Sequence, residues 1–434
     1  MPGALVPGHS RTAKRRRRIH SGTIWLLVLA AQLVLVLGRP TPEETPAVVQ
    51  QVASPATDMA TCANKPVHSA TYGRVRLPNL KVEAVFKSAR PHADTEITII
   101  TQCSVDRLYM LESQCATWGG VTSAAVYWPL EYFNPTNTER LQTAINEVKT
   151  FHAKMEAAPA GGCRLDIVLL SEVIKSQDLW AYPYNALRNQ ALARAKTEVL
   201  LLLDVDFVVS LGLHKQLTEA QANAALLDDT CVQRNVIVLP AFETDSGMGL
   251  EAGGETATRA QRSNKEELLK MFEARNIIQF AEFYPVGHKS TNYKKWFAST
   301  APYGIKFKTG YEPYILVSRK YMPWYDERFR GYGWDKVMQI YQLDSMNFHF
   351  IVHPKAFVVH RPHPPSSGYN HTFTGEAYTK KHKPTDHLWK MERIAKDMMA
   401  ELRAGTYPDD GVTALAHCRQ ITEDHAAEKG RWWR

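Results

Sequence analysis

Four consecutive leucines at positions 200–203 run directly into Asp204, Val205 and Asp206, and this segment most restricts the folds open to the chain. Other short apolar runs alternate with stretches of helical character. The predicted strands are Ile97–Thr101, Ala124–Trp128, Leu165–Leu170, Val199–Val205, Val236–Leu239, Tyr314–Val317 and Ala356–His360, and the predicted helices are Asn137–Lys154, Tyr184–Lys196 and Thr385–Arg403. This alternation predicts an α/β core with a largely parallel sheet.

The two carboxylates after the leucine run are the sharpest chemical signal. If the strand stays extended, Asp204 and Asp206 face the same side and their carboxylates can converge. Ligands of parallel α/β sheets bind beyond the carboxyl ends of the strands, which is where this pair lies. Carboxylate oxygens suit Mg²⁺ or Mn²⁺, and these metals bridge carboxylates to substrate phosphates. We predict a metal site here; turn capping or surface charge is the alternative.

Two further segments carry candidate ligand-binding side chains. Arg188 and Asn189 lie in the first turns of a helix that begins after Pro183, where an arginine can bind phosphate oxygens or support the fold by pairing with an acidic neighbour. His360 ends an apolar strand, and the prolines that follow hold His363 nearby in an extended exit. Imidazole ligates Mn²⁺ and hydrogen-bonds diphosphate, although a histidine at a strand end can simply be a satisfied polar residue.

Aromatic residues mix with carboxylates and glycines in residues 310–314 and 324–336. Aromatic rings stack on sugars and acids bind hydroxyls, so this composition suits a carbohydrate site; core packing beside an acidic loop is the alternative. Residues 244–261 are rich in Gly, Ala, Glu and Thr without an apolar period, which predicts an exposed loop.

The first 90 residues predict a membrane anchor. A basic tail at 1–20 precedes about 18 uncharged residues at 21–38, close to the minimum of about 17 for a spanning helix. Positive charge before the span favours a cytoplasmic N-terminus and a lumenal body. A cleaved signal peptide is the alternative. A stalk rich in Pro, Thr, Ala and Val follows at 39–89. Most of the net charge of +8 comes from the tail, and the apolar span that follows argues against a nucleic-acid partner.

Six cysteines permit up to three disulfides in an oxidising lumen, with buried free thiols as the alternative. They include no CxxC pair, which argues against a thiolate zinc site. Residues 370–372 form a glycosylation sequon that we expect to be lumenal.

The ordered set of motifs from about residue 96 to residue 366 resembles glycosyltransferase family 49, which includes the C-terminal domain of the LARGE-type enzymes and a beta-1,4-glucuronyltransferase. The matching segments are Thr101–Arg107, Trp118–Gly120, Leu187–Asn189, Asp204–Asp206, Gly287–His288 with Trp296, Gly310–Tyr314, Asp326–Trp334 and Phe357–His363.

The resemblance implies a GT-A fold at 90–405, with a Rossmann-like half that binds a nucleotide-sugar donor, and a C-terminal tail at 406–434. It implies that Asp204, Asp206 and His360 bind Mn²⁺, or Mg²⁺. The residues predicted to contact the UDP-sugar are Thr101, Arg188, Asn189, Asp204 and His363. An inverting enzyme also needs a base for the acceptor hydroxyl. Asp335 follows the Gly-aromatic loop and is the first candidate, with Glu327 and Asp326 as alternatives.

The chain resembles the shorter, single-domain members of that family, so we expect no polymerising activity. The expected function is inverting transfer of a sugar, first of all glucuronic acid, from a UDP-sugar to a glycan acceptor on a glycoprotein or polysaccharide. The expected location is the Golgi membrane, in single-pass type II topology. Arg328, Arg330 and Lys336 are candidates to bind a uronate carboxylate. A non-catalytic carbohydrate-binding protein and a metal-dependent phosphoester hydrolase are the alternatives.

Overall fold

The computed structural model describes residues 78–93, 95–158, 162–374 and 386–407. The predicted basic tail and membrane anchor, most of the predicted stalk and nearly all of the predicted C-terminal tail lie outside these ranges. Across the described residues, no helix combines the length and apolar character needed to cross a membrane.

The strands form a nine-stranded sheet and a four-stranded sheet. The large sheet contains β1 (Lys81–Phe86), β2 (Ile97–Ser104), β3 (Val121–Glu131), β4 (Arg164–Ile174), β5 (Val199–Leu202), β7 (Asn235–Leu239), β10 (Tyr303–Ile305), β11 (Tyr314–Ser318) and β12 (His349–Val352). The small sheet contains β6 (Phe207–Val209), β8 (Ala241–Thr244), β9 (Ile277–Gln279) and β13 (Val358–His360).

Helices cover the sheets and supply several of the candidate site residues. They are α1 (Leu108–Trp118), α2 (Asn137–Glu156), α3 (Tyr184–Arg194), α4 (Leu213–Thr218), α5 (Ala220–Leu227), α6 (Leu250–Arg262), α7 (Lys265–Glu273), α8 (Pro285–His288), α9 (Tyr293–Ala298), α10 (Asp335–Ser345), α11 (Ser367–Tyr369) and α12 (Asp386–Ala404).

The large sheet has the order β1-β4-β3-β2-β5-β11-β7-β12-β10. Strands β4, β3, β2 and β5 are mutually parallel, as the alternation of strands and helices predicts. The expectation of a largely parallel sheet is nevertheless wrong, because β11 runs antiparallel to both β5 and β7, and β1 and β10 are antiparallel edge strands. The fold is a mixed α/β fold with a central sheet.

The body of the protein begins before residue 90. Residues Lys81–Phe86, which the sequence analysis places in the stalk, pair with β4 as an antiparallel edge strand. At the other end, Tyr407 is the last described residue, and its hydroxyl donates to the buried carboxylate of Asp326 at 3.3 Å.

The loop prediction for residues 244–261 is wrong. Thr244 ends β8, and α6 covers Leu250–Arg262, with Gly253, Ala257 and Ala260 buried. A Cβ atom at Gly253 would lie 3.1 Å from both Pro362 and Thr244, so the helix approaches the small sheet too closely for larger side chains. Small residues form its buried face, and a search for large apolar residues at helical spacing misses it.

Candidate active site

The chain turns between the two aspartates. β5 ends at Leu202, and the amide of Phe207 donates to the carbonyl of Asp204 at 3.1 Å, which closes a turn before β6 begins. The chain is therefore not extended from Asp204 to Asp206. The two carboxylates remain close enough to influence each other's pKa, but they have different hydrogen-bond partners.

Asp206 lies with two histidines. Its Oδ2 atom is 3.1 Å from Nε2 of His363 and 3.7 Å from Nε2 of His360. One ligand atom from each of the three residues lies within 4.8 Å of the other two, and this is the one such group of three among the described residues. His363 therefore lies in one cluster with Asp206 and His360. The sequence predicts instead that His363 contacts the UDP-sugar donor.

The small sheet positions this cluster. β13 pairs antiparallel with β6, so that His360 lies opposite Phe207, the residue after Asp206. The amide of Arg361 also donates to the carbonyl of Asp206 at 2.8 Å. Because the turn after β5 leads directly into β6, these pairings place the strand-end histidine beside the second aspartate.

The cluster contains a carboxylate oxygen that is free to bind a cation. Oδ1 of Asp206 is buried and has no hydrogen-bond partner in the described part of the chain. Nδ1 of His363 lies 2.8 Å from the carbonyl of Pro364 and donates to it, since a carbonyl only accepts, so Nε2 is the atom that faces Asp206. Burial alone would raise the pKa of Asp206, but hydrogen bonds and charge from His360 and His363 hold this pKa well below its usual range. The carboxylate is thus kept ionised.

Asp204 has cationic partners instead. Its Oδ1 accepts from Nη2 of Arg188 at 2.9 Å, and its Oδ2 accepts from Nζ of Lys336 and from the Tyr314 hydroxyl, each at 3.0 Å. Burial raises the pKa of Asp204, but Lys336 and then Arg188 outweigh it and lower the pKa to about 2. Both oxygens of the carboxylate are therefore engaged by side chains of the protein.

Arg188 connects Asp204 to the start of helix α10. Its Nη1 atom donates to Oδ2 of Asp335 at 2.7 Å and to the side chain of Asn185 at 3.0 Å. The guanidinium is buried, and it lies over the rings of Tyr184 and Tyr325. Arg188 therefore pairs with acidic neighbours, which is the alternative to phosphate binding that the sequence analysis gave for it.

Asn189, Glu327 and Asp326 make contacts that fix the loop before α10. Glu327 and Asp326 are the alternative candidate bases. The Asn189 side chain donates to the carbonyl of Tyr325 at 2.8 Å and to Oε1 of Glu327 at 2.9 Å, and it accepts from the amide of Tyr325 at 2.8 Å. Asp326 is buried and forms a salt bridge of 2.6 Å with Arg328. Asn189, Glu327 and Asp326 are therefore engaged in contacts that fix the loop.

Thr101 lines a small cavity of about 20 Å³ together with Arg188, Asp204, Tyr314 and Lys336. A volume of this size holds about one water molecule. The hydroxyl of Thr101 is buried and has no partner among the described residues, so it is available to a ligand at this point. Thr101 is thus close to the Asp204 side of the site.

Sequence reasoning assigned no role to two side chains in this region. Glu312 precedes β11 and shares its electrostatic environment with Asp204, Asp335 and Lys336. Arg107 ends the short turn after β2, and its positive charge acts on His363. Both lie inside motifs quoted above, but nothing in their sequence neighbourhood indicates whether a charged side chain has a partner, so the structure was needed to find them.

The described cysteines include both a disulfide and free thiols, the two alternatives expected from the sequence. Cys115 and Cys163 form a disulfide, whereas Cys103 and Cys231 are free thiols. Cys62 and Cys418 lie outside the described residues.

Comparison with known proteins places this site within a recognised family. Residues 96–387 match the model of the family described as "Glycosyl-transferase for dystroglycan". The chain is 35% identical over 279 residues to the xylosyl- and glucuronyltransferase LARGE2 of Mus musculus, covering 64% of this chain and 35% of that protein. It is 31% identical over 281 residues to LARGE1 of Homo sapiens, covering 64% and 32%. The match thus spans about a third of the length of these relatives.

Among solved structures, the chain has a TM-score of 0.28 and 8% identity to S. aureus TarS 1-349 in complex with UDP-GlcNAc, covering 78% of this chain and 93% of that one. For GalNAc-T7 with UDP, GalNAc and Mn²⁺ the TM-score is 0.29 and the identity 12%, covering 71% and 58%. TM-scores of this size are too low to support an inference about this chain.

Proposed function

The chain belongs to the glycosyltransferase family described as "Glycosyl-transferase for dystroglycan", and from this we propose that it transfers a sugar from a UDP-sugar to a hydroxyl of a glycan acceptor. We propose glucuronic acid as the first sugar to test, because the LARGE relatives are named xylosyl- and glucuronyltransferases. A GT-A arrangement with a nucleotide-binding half at the parallel part of the sheet belongs to the same proposal.

The observation that carries the proposal is the juxtaposition of two different clusters at the edge where β5 of the large sheet leads into β6 of the small sheet. Asp206, His360 and His363 form a group with an orphaned buried carboxylate oxygen. Beside it, Asp204 accepts hydrogen bonds from Arg188 and Lys336. A diphosphate-linked sugar presents both a charged group that needs cations and hydroxyls that need carboxylates, and this edge offers both.

The residues of the first cluster fit a bound Mn²⁺. One carboxylate and two imidazoles are a donor set that this metal accepts, and the unpartnered Oδ1 of Asp206 gives the cluster an unused acceptor atom. The Nδ1 contact of His363 with the Pro364 carbonyl fixes the orientation of the ring, as is usual for ligating histidines. When bound, such a metal neutralises negative charge on the leaving diphosphate. We propose Asp206, His360 and His363 as its protein ligands, with Asp204 orienting Arg188 and Lys336.

The remaining donor contacts and the base stay predictions. Of the three cations considered for a uronate, Arg328 is paired with Asp326 and Arg330 with Glu172, each at 2.6 Å, whereas Lys336 lies in the site. Of the three candidate bases, Asp335 alone has a side chain bonded to Arg188. Of the candidate uronate ligands, Lys336 therefore belongs to the site. Of the candidate bases named from the sequence, Asp335 does.

We also propose a Golgi membrane location in type II topology, with the body in the lumen. The proposal is supported by the charge-flanked apolar span at residues 21–38 and is consistent with the Cys115–Cys163 disulfide, which favours an oxidising compartment. In sealed microsomes the body should resist added protease; digestion of the whole body from outside would contradict this topology.

The function is tested with the full-length protein, Mn²⁺ and a panel of nucleotide sugars, by measuring release of the nucleotide with and without glycan acceptors. We expect UDP release from UDP-glucuronate first, and from UDP-xylose or a UDP-hexose next. Chelation should abolish it and added Mn²⁺ should restore it. Asp206→Asn should be inactive, while Asp228→Asn, the same change at an exposed carboxylate, should be normal.

Three outcomes would overturn the proposal. Binding of UDP-sugars without release, even with a broad panel of acceptors, would favour the non-catalytic carbohydrate-binding protein. If UDP-sugars neither bound nor reacted while GDP- or CMP-sugars did, the donor class would be wrong. Hydrolysis of simple phosphoesters in place of sugar transfer would favour the hydrolase.

A further inference from the structure

Glu312 lies just before β11 of the large sheet, on the Asp204 side of the site. It stands two residues before Tyr314, the first residue of β11, and the Tyr314 hydroxyl donates to Asp204. The amide of Glu312 donates to the carbonyl of Gly287 at 2.9 Å, which fixes its backbone. A Cβ atom at Gly287 would lie 3.1 Å from Oε1 of Glu312, so the glycine leaves room for this carboxyl group.

The carboxylate of Glu312 has no hydrogen-bond donor among the described residues. The other carboxylates considered as bases differ from it. Asp326 forms a buried salt bridge with Arg328, Glu327 accepts from Asn189, and Asp335 accepts from Arg188. Each of these three carboxylates is therefore already bound by a side chain of the protein. Glu312 is thus the one of these four carboxyl groups to which no described side chain donates a hydrogen bond.

The charged groups around Glu312 come from three elements. Lys336 and Asp335 belong to α10, Asp204 to the turn between β5 and β6, and Arg188 to α3. Both cations already donate to Asp204, and Arg188 also donates to Asp335. Neighbouring charges of both signs therefore partly offset one another at this carboxyl group.

Burial has the largest effect on the pKa of Glu312. Removal of the carboxyl group from water raises the pKa of Glu312 to about 7, although Lys336 lowers it and Asp335 and Asp204 raise it by smaller amounts. His288, on the adjacent helix α8, is buried and its pKa is lowered to about 3, so it stays neutral and adds no charge. A general base works best when its pKa lies near the working pH. The side chain is also partly exposed, so a ligand can reach it.

We propose that Glu312 is the group that accepts the proton of the acceptor hydroxyl, in place of Asp335. This inference rests on the proposed function. The hydroxyl gives its proton to the Glu312 carboxylate while an oxygen lone pair forms the new bond to C1 of the donor sugar. The bond between C1 and the diphosphate oxygen breaks, and its electron pair leaves with UDP. The proton then passes from Glu312 to solvent, which restores the carboxylate. Asp335 holds Arg188 in position.

The test compares Glu312→Gln with Asp335→Asn in the full-length chain. Glutamine keeps the size of the side chain but cannot accept the proton, so kcat should fall by about 100-fold or more. Affinity for UDP and for Mn²⁺ should stay within about twofold of the unmodified protein. Glu251→Gln, at an exposed position of α6, is the matched control and should be fully active.

A second readout is the pH dependence of kcat. In the unmodified protein kcat should rise as the pH increases through about 7, because the base must be deprotonated, and the residual activity of Glu312→Gln should lack that rise. Glu312→Asp, which keeps a carboxyl group with a shorter reach, should be slower than the unmodified protein but keep the rise. This variant also decides the matter if Glu312→Gln does not fold.

The outcomes separate this inference from the proposed function. If the unmodified protein transferred no sugar from any UDP donor, the proposed function would fail. If it were active and Glu312→Gln kept its kcat, or only raised the KM for the donor, Glu312 would not be the base. A loss of at least 100-fold in Asp335→Asn, with Glu312→Gln active, would return the role to Asp335.

Discussion

Nη1 of Arg188 donates a hydrogen bond to Oδ2 of Asp335 at 2.7 Å, linking the first helix that contributes to the site with the start of α10. The same guanidinium also pairs with Asp204 at 2.9 Å. Arginine can bridge two carboxylates in this way because its donors form a rigid planar fork. One buried cation therefore holds together three segments that are distant in sequence.

We predict that Arg188→Met destabilises the protein by about 3–5 kcal/mol, because it leaves two carboxylates at the site without their shared cation. The free energy of unfolding from urea titration measures this. Arg275→Met is the matched control: its partner Glu282 is 2.7 Å away, but both side chains are largely exposed, so we expect a much smaller loss of stability. Equal losses in the two variants would show that the Arg188 contacts contribute little.

The second prediction concerns the metal cluster. Asp206→Asn and His363→Ala each remove one potential ligand, so each should weaken Mn²⁺ binding by at least about 10-fold, with a parallel loss of activity. Because both changes damage one cluster, their effects on turnover should be far from additive in the double variant. The same applies to Asp206→Asn with His360→Ala.

Calorimetric titration of Mn²⁺ in the presence of UDP gives the affinities. His353→Ala, at a half-buried histidine outside the cluster, is the control and should bind Mn²⁺ normally. Normal Mn²⁺ binding in His363→Ala, together with weak binding of UDP, would return His363 to the donor-contact role that its sequence position suggests.

Strong local patterns predicted the central strands of the large sheet, β13, and the helices α2, α3 and α12. The strand from Leu165 was anticipated because its apolar run is continuous, and α2 because its pattern is long. Helix α6, predicted above as a loop, buries Gly253, Ala257 and Ala260, and small residues of this kind are also common in loops. The direction of β11 was not predicted either, since an apolar run is compatible with a parallel or an antiparallel neighbour.

The site could be predicted as a set of residues but not as a set of contacts. The motifs identified Asp204, Asp206, His360 and His363 as side chains at strand ends. Whether an aspartate faces histidines or cations depends on the turn at residues 204–206 and on the pairing of β13 with β6. Such partners are far apart in sequence, so the division of the two aspartates between two clusters, and the lack of a partner for Glu312, appear only in the folded chain.

The third prediction concerns the disulfide. Cys115 and Cys163 are 48 positions apart, and closing a loop of this length stabilises a fold by about 2–4 kcal/mol. Replacing both with serine should lower the free energy of unfolding by that amount. Cys231→Ser changes a free, partly buried thiol and should cost less than about 1 kcal/mol. Thermal melting with and without reductant provides the measurement. If reductant left the melting temperature unchanged, the disulfide would not contribute to stability.

The last prediction concerns Arg107, which ends the turn after β2. Its charge reaches His363, whose pKa is lowered by burial and by Arg107 but is raised overall by Asp206. No described residue accepts a hydrogen bond from the Arg107 guanidinium, so it is available to an anionic ligand beside the metal cluster. The diphosphate of the donor is the anion expected there, and a hydrogen bond to a charged group contributes about 1.5–3 kcal/mol. Arg107→Gln should therefore weaken binding of UDP and of UDP-glucose by about 10- to 100-fold.

Arg107→Lys should recover part of that affinity, because it keeps the charge but not the planar fork. Raising the salt concentration should reduce the difference between the unmodified protein and Arg107→Gln, since screening weakens exposed charge pairs. Comparing UDP, UDP-glucose and UDP-glucuronate by calorimetry identifies the anion that Arg107 binds. If Arg107→Gln bound UDP and UDP-glucose normally and lost affinity for UDP-glucuronate alone, Arg107 would recognise the sugar carboxylate and not the diphosphate. Unchanged binding of all three would show that Arg107 lies outside the donor site.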